Sequence, residues 1–189
     1  MAYKFPTHKA NKLERKSRYV DFQPAIRLRA AGMKPGQQVL DVGSGTGFYT
    51  RKAAQVVGEK GYVTGIDIMP EMVDKAISLG VPMNVSYKLS EESTFPVDEA
   101  SVDWVLITNL FHELEKPETF VAEVHRVLKS GGSVYLVDWI PQEEDEGPPV
   151  NHRIPQKSVI KLFHKNHMDL SAEDQIESSH YELVFRKND

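Results

Sequence analysis

From residue 38 onward, short apolar runs alternate with segments in which apolar residues return at helical spacing. Gln38-Val39-Leu40-Asp41-Val42 is a short apolar run and predicts a buried strand. Tyr49, Ala53, Val56 and Val57 follow at helical spacing, and Gly58 stops that helix. Tyr62 to Asp67 predicts a second strand. Pro70 suits a first helical turn, where a missing N–H costs nothing, and Met72, Val73, Ala76 and Ile77 share one face before Gly80 ends the segment. Val85–Leu89 predicts a third, weaker strand and Val102–Ile107 a fourth. Pro117 opens a helix with Phe120, Val121, Val124, Val127 and Leu128 on its apolar face. Ser130-Gly131-Gly132 then turns into a fifth strand, Ser133 to Trp139. Residues 141–156 hold Pro141, Pro148, Pro149 and Pro155 with Glu143-Glu144-Asp145-Glu146, the composition of a long loop, and long loops beside strand ends are often functional. Residues 157–166 read as helix. Ile176 and the alternation Tyr181, Leu183, Phe185 predict two late strands in an antiparallel hairpin at a sheet edge. The whole pattern is that of an α/β domain whose mostly parallel sheet is covered by helices on both faces.

Composition narrows the choices. The 189 residues contain no cysteine, which removes disulfides, thiolate metal sites and cysteine nucleophiles. No run approaches the roughly 20 apolar residues of a membrane helix, and Met1 to Pro6 lacks the apolar core of a signal peptide; a cytoplasmic protein without membrane insertion is expected. Net charge is −4, but residues 1–34 hold nine Lys/Arg against two acids, so the remainder is strongly acidic. The basic arm and helix of residues 1–34 form a candidate lid over a domain spanning 35–189. An acidic body argues against an extended nucleic-acid footprint.

Asp41-Val42-Gly43-Ser44-Gly45-Thr46-Gly47 sits where the first strand meets the first helix. In an open α/β sheet, ligands bind outside the carboxyl ends of the strands, where this loop lies. A dinucleotide fingerprint would put its third glycine at position 48, which is Phe48, and the lysine of a phosphate-cradling loop is missing. Asp41 would repel a pyrophosphate and favour a ligand carrying ammonium and sulfonium charge. Asp67, at the end of the second strand, can accept hydrogen bonds from both hydroxyls of a ribose. Ribose recognition without phosphates, beside a carboxylate, points to S-adenosylmethionine.

These segments resemble a known family. Val39 to Gly47 is similar, almost residue for residue, to the first motif of class I S-adenosylmethionine-dependent methyltransferases, in particular the small bacterial and archaeal type that includes quinone-biosynthesis C-methyltransferases. Gly65-Ile66-Asp67-Ile68 resembles the second motif, and Ser90-Glu91-Glu92 the third. Asn109-Leu110-Phe111-His112 resembles the loop after the fourth strand, and Leu128 to Gly132 the turn before the fifth. The resemblance implies a Rossmann-like, seven-stranded sheet and methyl transfer by in-line displacement. It implies cofactor contacts from Asp41, Gly43, Ser44, Gly45, Gly47 and Asn109, with Asp67 on the ribose and Ile68 and Met69 along the adenine. The family usually has Asp followed by a small residue where this chain has Glu91-Glu92; the backbone contact to the ring is expected to survive that change. Tyr19, in the basic arm, is a candidate to close over the cofactor.

Candidates for acting on the methyl acceptor are Tyr19, His112, Glu113, Asp138 and His152. His112 is the best placed, because it follows the fourth strand, and it is the expected catalytic or orienting residue. The lack of cysteine argues against arsenite, and Asn109-Leu110-Phe111-His112 lacks the Pro-Pro of methyltransferases acting on base and glutamine amino groups. A small-molecule acceptor is expected. Two other readings remain: a nucleic-acid-directed methyltransferase using the basic arm, and a non-catalytic S-adenosylmethionine-binding protein.

Overall fold

The computed structural model describes residues 22–144 and 147–188. Strands β1 (Gln38–Val42), β2 (Tyr62–Asp67), β3 (Val85–Leu89), β4 (Val102–Thr108) and β5 (Leu128–Trp139) are parallel, joined through helices α2 (Phe48–Val57), α3 (Pro70–Ser78) and α4 (Pro117–Val127). A short helix α1 (Pro24–Ala30) precedes them, and α5 (Gln156–Lys165), β6 (Met168–Ile176) and β7 (His180–Lys187) complete the chain. The seven strands lie in the order β3-β2-β1-β4-β5-β7-β6, with β7 antiparallel to both of its neighbours.

Burial on both sides explains the continuous apolar runs of the parallel strands. Leu40, Val42, Val105, Ile107, Val134, Leu136, Leu183 and Phe185 face one way and pack against α4 and α5 through Phe120, Val121, Val124, Val159 and Phe163. Val39, Val63, Trp104, Leu106, Tyr135, Val137 and Val184 face the other way, toward α1 and α2 through Leu28, Tyr49, Ala53, Val56 and Val57. Alternation therefore assigns Asp41 to the α2 side and Asp138 to the α4 side. α1 is tied to the antiparallel edge by Arg27, which donates to Asp174 at 3.1 Å and to Glu182 at 3.2 Å. Glu182 also accepts from the Tyr135 hydroxyl at 2.6 Å.

Two expectations need correction. Leu128 belongs to β5 rather than to the helix before it, and pairs with Val102. The next pair is Trp104 with Ser133, so residues 129–132 bulge out of the ladder where a turn was expected. Leu128 is fully buried, and an apolar residue that is buried in either conformation does not reveal its period. Gly131, with φ 67°, accommodates the bulge in the left-handed region that glycine tolerates. Tyr19 and most of the basic arm lie outside the described residues.

Outer strand β6 buries only its first and last residues, Met168 and Ile176. The seven between them, Asp169 to Gln175, are exposed along the sheet margin.

Candidate functional site

The chain leaves β1 toward β2 and β3 on one side and then crosses to β4 on the other. Such a reversal opens a crevice at the carboxyl ends of the central strands. The glycine loop fills its floor. Ser44 donates its N–H to the Ile66 carbonyl at 2.9 Å, and Gly47 to the Ser44 carbonyl at 2.8 Å. Gly47 has φ 82°, and a Cβ there would lie 2.1 Å from the Tyr87 hydroxyl. A Cβ on Gly43 would meet the Leu110 side chain at 2.8 Å. Side chains are therefore disfavoured at Gly43 and Gly47 by their neighbours as well as by their backbone angles.

Asp41 is fully buried under the loop. Thr50, in the first turns of α2, donates its hydroxyl to Asp41 Oδ2 at 2.5 Å. Burial pushes the carboxyl up to about 7, against the Thr50 hydrogen bond and with the charge of Asp67 adding to the rise. Asp67 ends β2 and is nearly as buried. Its Oδ2 accepts from Gly45 N–H and its Oδ1 from Met69 N–H, both at 2.9 Å. Burial raises its pKa too, with the backbone N–H groups of Met69 and Gly45 opposing the rise. Ile68 and Leu89 are exposed apolar side chains at the same strand ends.

Among the described residues, Asp41 Oδ1, Ser44 Oγ and Asn109 Oδ1 are buried without a hydrogen-bond partner. Buried polar atoms are rarely left so, and these three lie at or just past the carboxyl ends of the adjacent strands β1 and β4. A ligand with ammonium and hydroxyl donors, a flat ring and no phosphate fits this set, as S-adenosylmethionine does. Asn109 holds φ 52° and donates its N–H to Val137 at 2.8 Å, which turns the chain at the end of β4.

That turn delivers Phe111–Glu113 as a single 3-10 turn and brings together two candidates that are 26 residues apart. His112 Nδ1 lies 2.7 Å from Asp138 Oδ1, and His112 N–H donates to Asp138 Oδ2 at 3.0 Å. Asp138 Oδ1 also accepts from Trp139 N–H at 2.7 Å. Glu113 Oε1 is 3.7 Å from His112 Nε2. Burial alone would lower the imidazole pKa. The hydrogen bond and charge of Asp138, with Glu113 adding, outweigh it and leave His112 above the ordinary histidine value.

Other candidates fall elsewhere. The Glu92 side chain accepts from the backbone N–H groups of Glu115 and Lys116, at 3.0 to 3.3 Å. The start of α4 has unpaired donors to satisfy, and a glutamate on the neighbouring turn reaches them. Glu91 is exposed and its backbone bridges to Thr94. His152 sits in a 3-10 turn at Val150–His152, in the long loop after β5. Sequence reasoning missed Arg153. It is buried, donates to the carbonyls of Pro148, Ile140 and Gln142 at 2.8 to 3.2 Å, and lies 4.9 Å from the Trp139 ring centre. It thereby folds the proline-rich loop back onto the end of β5. The one available signal was a lone arginine at the end of that loop.

Comparison with known proteins agrees with this geometry. The family model described as a methyltransferase domain matches residues 40–136. A crystal structure of an S-adenosylmethionine-dependent methyltransferase from Aquifex aeolicus superposes with a TM-score of 0.91 at 33% identity, covering 97% of this chain and 99% of that one. An arsenite methyltransferase from Halobacterium salinarum is 42% identical over 113 residues, which are 57% of this chain and 28% of that protein. The ubiquinone/menaquinone biosynthesis C-methyltransferase UbiE of Shewanella piezotolerans is 31% identical over 122 residues, 62% of this chain and 49% of that protein. The chain thus spans about half or less of the length of these curated relatives. A crevice floored by Gly43 to Gly47 and flanked by Asp41 and Asp67, on this sheet order and with these relatives, places the chain in the methyltransferase-domain family of class I S-adenosylmethionine-dependent methyltransferases.

Proposed function

We propose that this protein transfers a methyl group from S-adenosylmethionine to a small-molecule acceptor. The observation that carries this reading is the pairing of two buried carboxylates, Asp41 and Asp67, toward the ends of adjacent strands around a loop with no room for a side chain at Gly43 or Gly47. Asp67 takes the ribose hydroxyls, Asp41 lies toward the ammonium, and Ile68 and Met69 cover the adenine. Bound S-adenosylmethionine supplies a methyl carbon already activated by sulfonium charge. The chain's own task is to orient the acceptor and exclude water. His112, past the end of β4, stands on the acceptor side as base or orienting group.

A small-molecule acceptor accords with the names of the quinone-biosynthesis and arsenite relatives. These 189 residues hold no cysteine, so a thiolate route to arsenite is closed to them. Titration calorimetry with S-adenosylmethionine, S-adenosylhomocysteine and NAD tests the cofactor: the first two should bind and NAD should not. A metabolite extract incubated with methyl-labelled S-adenosylmethionine then tests the acceptor. Label entering only RNA or protein, or no compound at all, would sink the small-molecule reading.

A further inference from the structure

We propose that Tyr87 is a positioning residue for the amino-acid end of the cofactor: from β3 its ring lies across Gly65, and its hydroxyl props the glycine loop at Gly47. The inference rests on the methyltransferase reading above and deepens it. Asp41, Gly65 and Tyr87 stand side by side on β1, β2 and β3, so their side-chain positions share the α2 face of the sheet. Gly65 leaves its place in this row bare. A Cβ there would lie 2.8 Å from Tyr87 Cδ1, 2.9 Å from Tyr87 Cε1 and 3.1 Å from Ser44 Oγ. The ring therefore leans over β2 toward β1 and the loop. At its far end, the Cβ position of Gly47 falls on the Tyr87 hydroxyl and lies 3.0 Å from Arg51 Nη1. One tyrosine thus takes the space of two missing side chains, one in a strand and one in the loop.

A tyrosine that only fills space ends among apolar atoms. This one packs its ring against the apolar cluster of the α2 face, but its hydroxyl is buried and faces Thr50 and Arg51. Thr50 gives its hydroxyl proton to Asp41, which leaves its own oxygen able to accept. Arg51 is tied to the loop, because it donates to the Thr46 carbonyl at 2.7 Å. Burial raises the Tyr87 pKa, Arg51 of α2 opposes the rise and the charge of Asp41 on β1 adds to it, so the phenol keeps its proton and serves as a donor. Asp67 of β2 faces Asp41 in turn and disfavours its ionisation. A phenol proton directed at Thr50 strengthens the hydrogen bond that Thr50 makes to Asp41, and so favours the carboxylate that meets the cofactor's ammonium. Tyr87 acts through Asp41 and the loop, whereas the ribose and adenine are served from Asp67, Ile68 and Met69.

The test compares two nucleosides on the full chain. Calorimetry is run with S-adenosylhomocysteine and with methylthioadenosine, which lacks the amino acid, on the wild type, Tyr87→Phe and Gly65→Ala. Tyr87→Phe keeps the ring and removes the hydroxyl. It should melt as the wild type does and bind methylthioadenosine as the wild type does, yet bind S-adenosylhomocysteine about tenfold more weakly, the loss expected for one hydrogen bond. Its S-adenosylhomocysteine affinity should also climb at higher pH than in the wild type, because Asp41 ionises later without the phenol proton behind Thr50. Gly65→Ala keeps the hydroxyl but drives a methyl group into the ring, and should cost S-adenosylhomocysteine more than methylthioadenosine. A tyrosine that only packs would leave Tyr87→Phe unchanged in affinity and in pH profile. That result, or an equal loss for both nucleosides, would overturn the proposal, and should one variant fail to fold the other decides. Wild-type binding separates the two levels: S-adenosylhomocysteine bound equally by wild type and Tyr87→Phe leaves the methyltransferase reading standing, and no binding by the wild type removes both.

Discussion

Asp41 carries a cost in the free protein. Its carboxyl has no solvent exposure and one oxygen without a partner among the described residues, and burial pushes its pKa up to about 7. The folded value lies above that of the unfolded chain, so the folded state holds the proton more tightly. The stability this contributes is complete in acid below pH ~4 and is lost as pH rises through 7. Asp41→Asn removes the ionisation. It should raise thermal stability over wild type at pH 8, by at most about 4 kcal/mol, and much less at pH 5, while weakening S-adenosylmethionine binding. A melting difference independent of pH would refute the account. In the wild type at pH 7, binding of the ammonium-bearing cofactor should release about half a proton, read as a dependence of binding heat on buffer ionisation enthalpy. Asp67 gives a second expectation. Asp67→Ala should cut cofactor affinity ten- to a hundredfold or more, since charge-assisted hydrogen bonds contribute about 1.5–3 kcal/mol each. Unchanged affinity in a folded variant would take Asp67 out of the site.

The secondary elements differ in how plainly they could be read. β1, β2, β4 and most of β5 were legible because burial on both faces leaves unbroken apolar runs, and Pro70 and Pro117 marked helix starts that the structure keeps. β6 showed only through Ile176, because its other buried residue, Met168, stands at the far end of seven exposed ones. The glycine loop, Asp41 and Asp67 could be found by position relative to strands. The contact between His112 and Asp138 could not, because it arises from the β4–β5 register, in which Thr108 pairs with Val137. The side-chain partners of Glu92 were hidden for a similar reason: they are backbone groups 23 and 24 residues away. Arg153 decides the conformation of the long loop through three carbonyls. Arg153→Met, which keeps the length of the stem, leaves those carbonyls without their donor and should cost about 2–4 kcal/mol in urea unfolding. Limited proteolysis should then cut near residues 141–150 sooner than in the wild type. A variant as stable and as resistant as wild type would mean that the loop is held by its prolines instead.

At the scale of the whole molecule, the crevice is set at the middle of the sheet, and the antiparallel pair β6–β7 closes the side beyond β5. α1 is clamped to that pair through Arg27, Glu182 and Asp174. Among the described residues no strand pairs with the outer side of β6, and Leu170 is exposed along it. A strand of this length at a sheet margin invites a second molecule to add its own strand, the route to aggregates and fibrils. Asp169, Glu173 and Asp174 supply charge along the exposed run. Asn188 and His164 hold Asp169 below the usual carboxylate range, and the Gln175 N–H and Arg27 do the same for Asp174. The charge on Asp169 and Asp174 should therefore persist further into acid than an ordinary surface carboxylate would allow. Replacing the three by Asn, Gln and Asn should turn a dispersed protein into one that scatters light and binds thioflavin at neutral pH, with its cofactor affinity intact until it leaves solution.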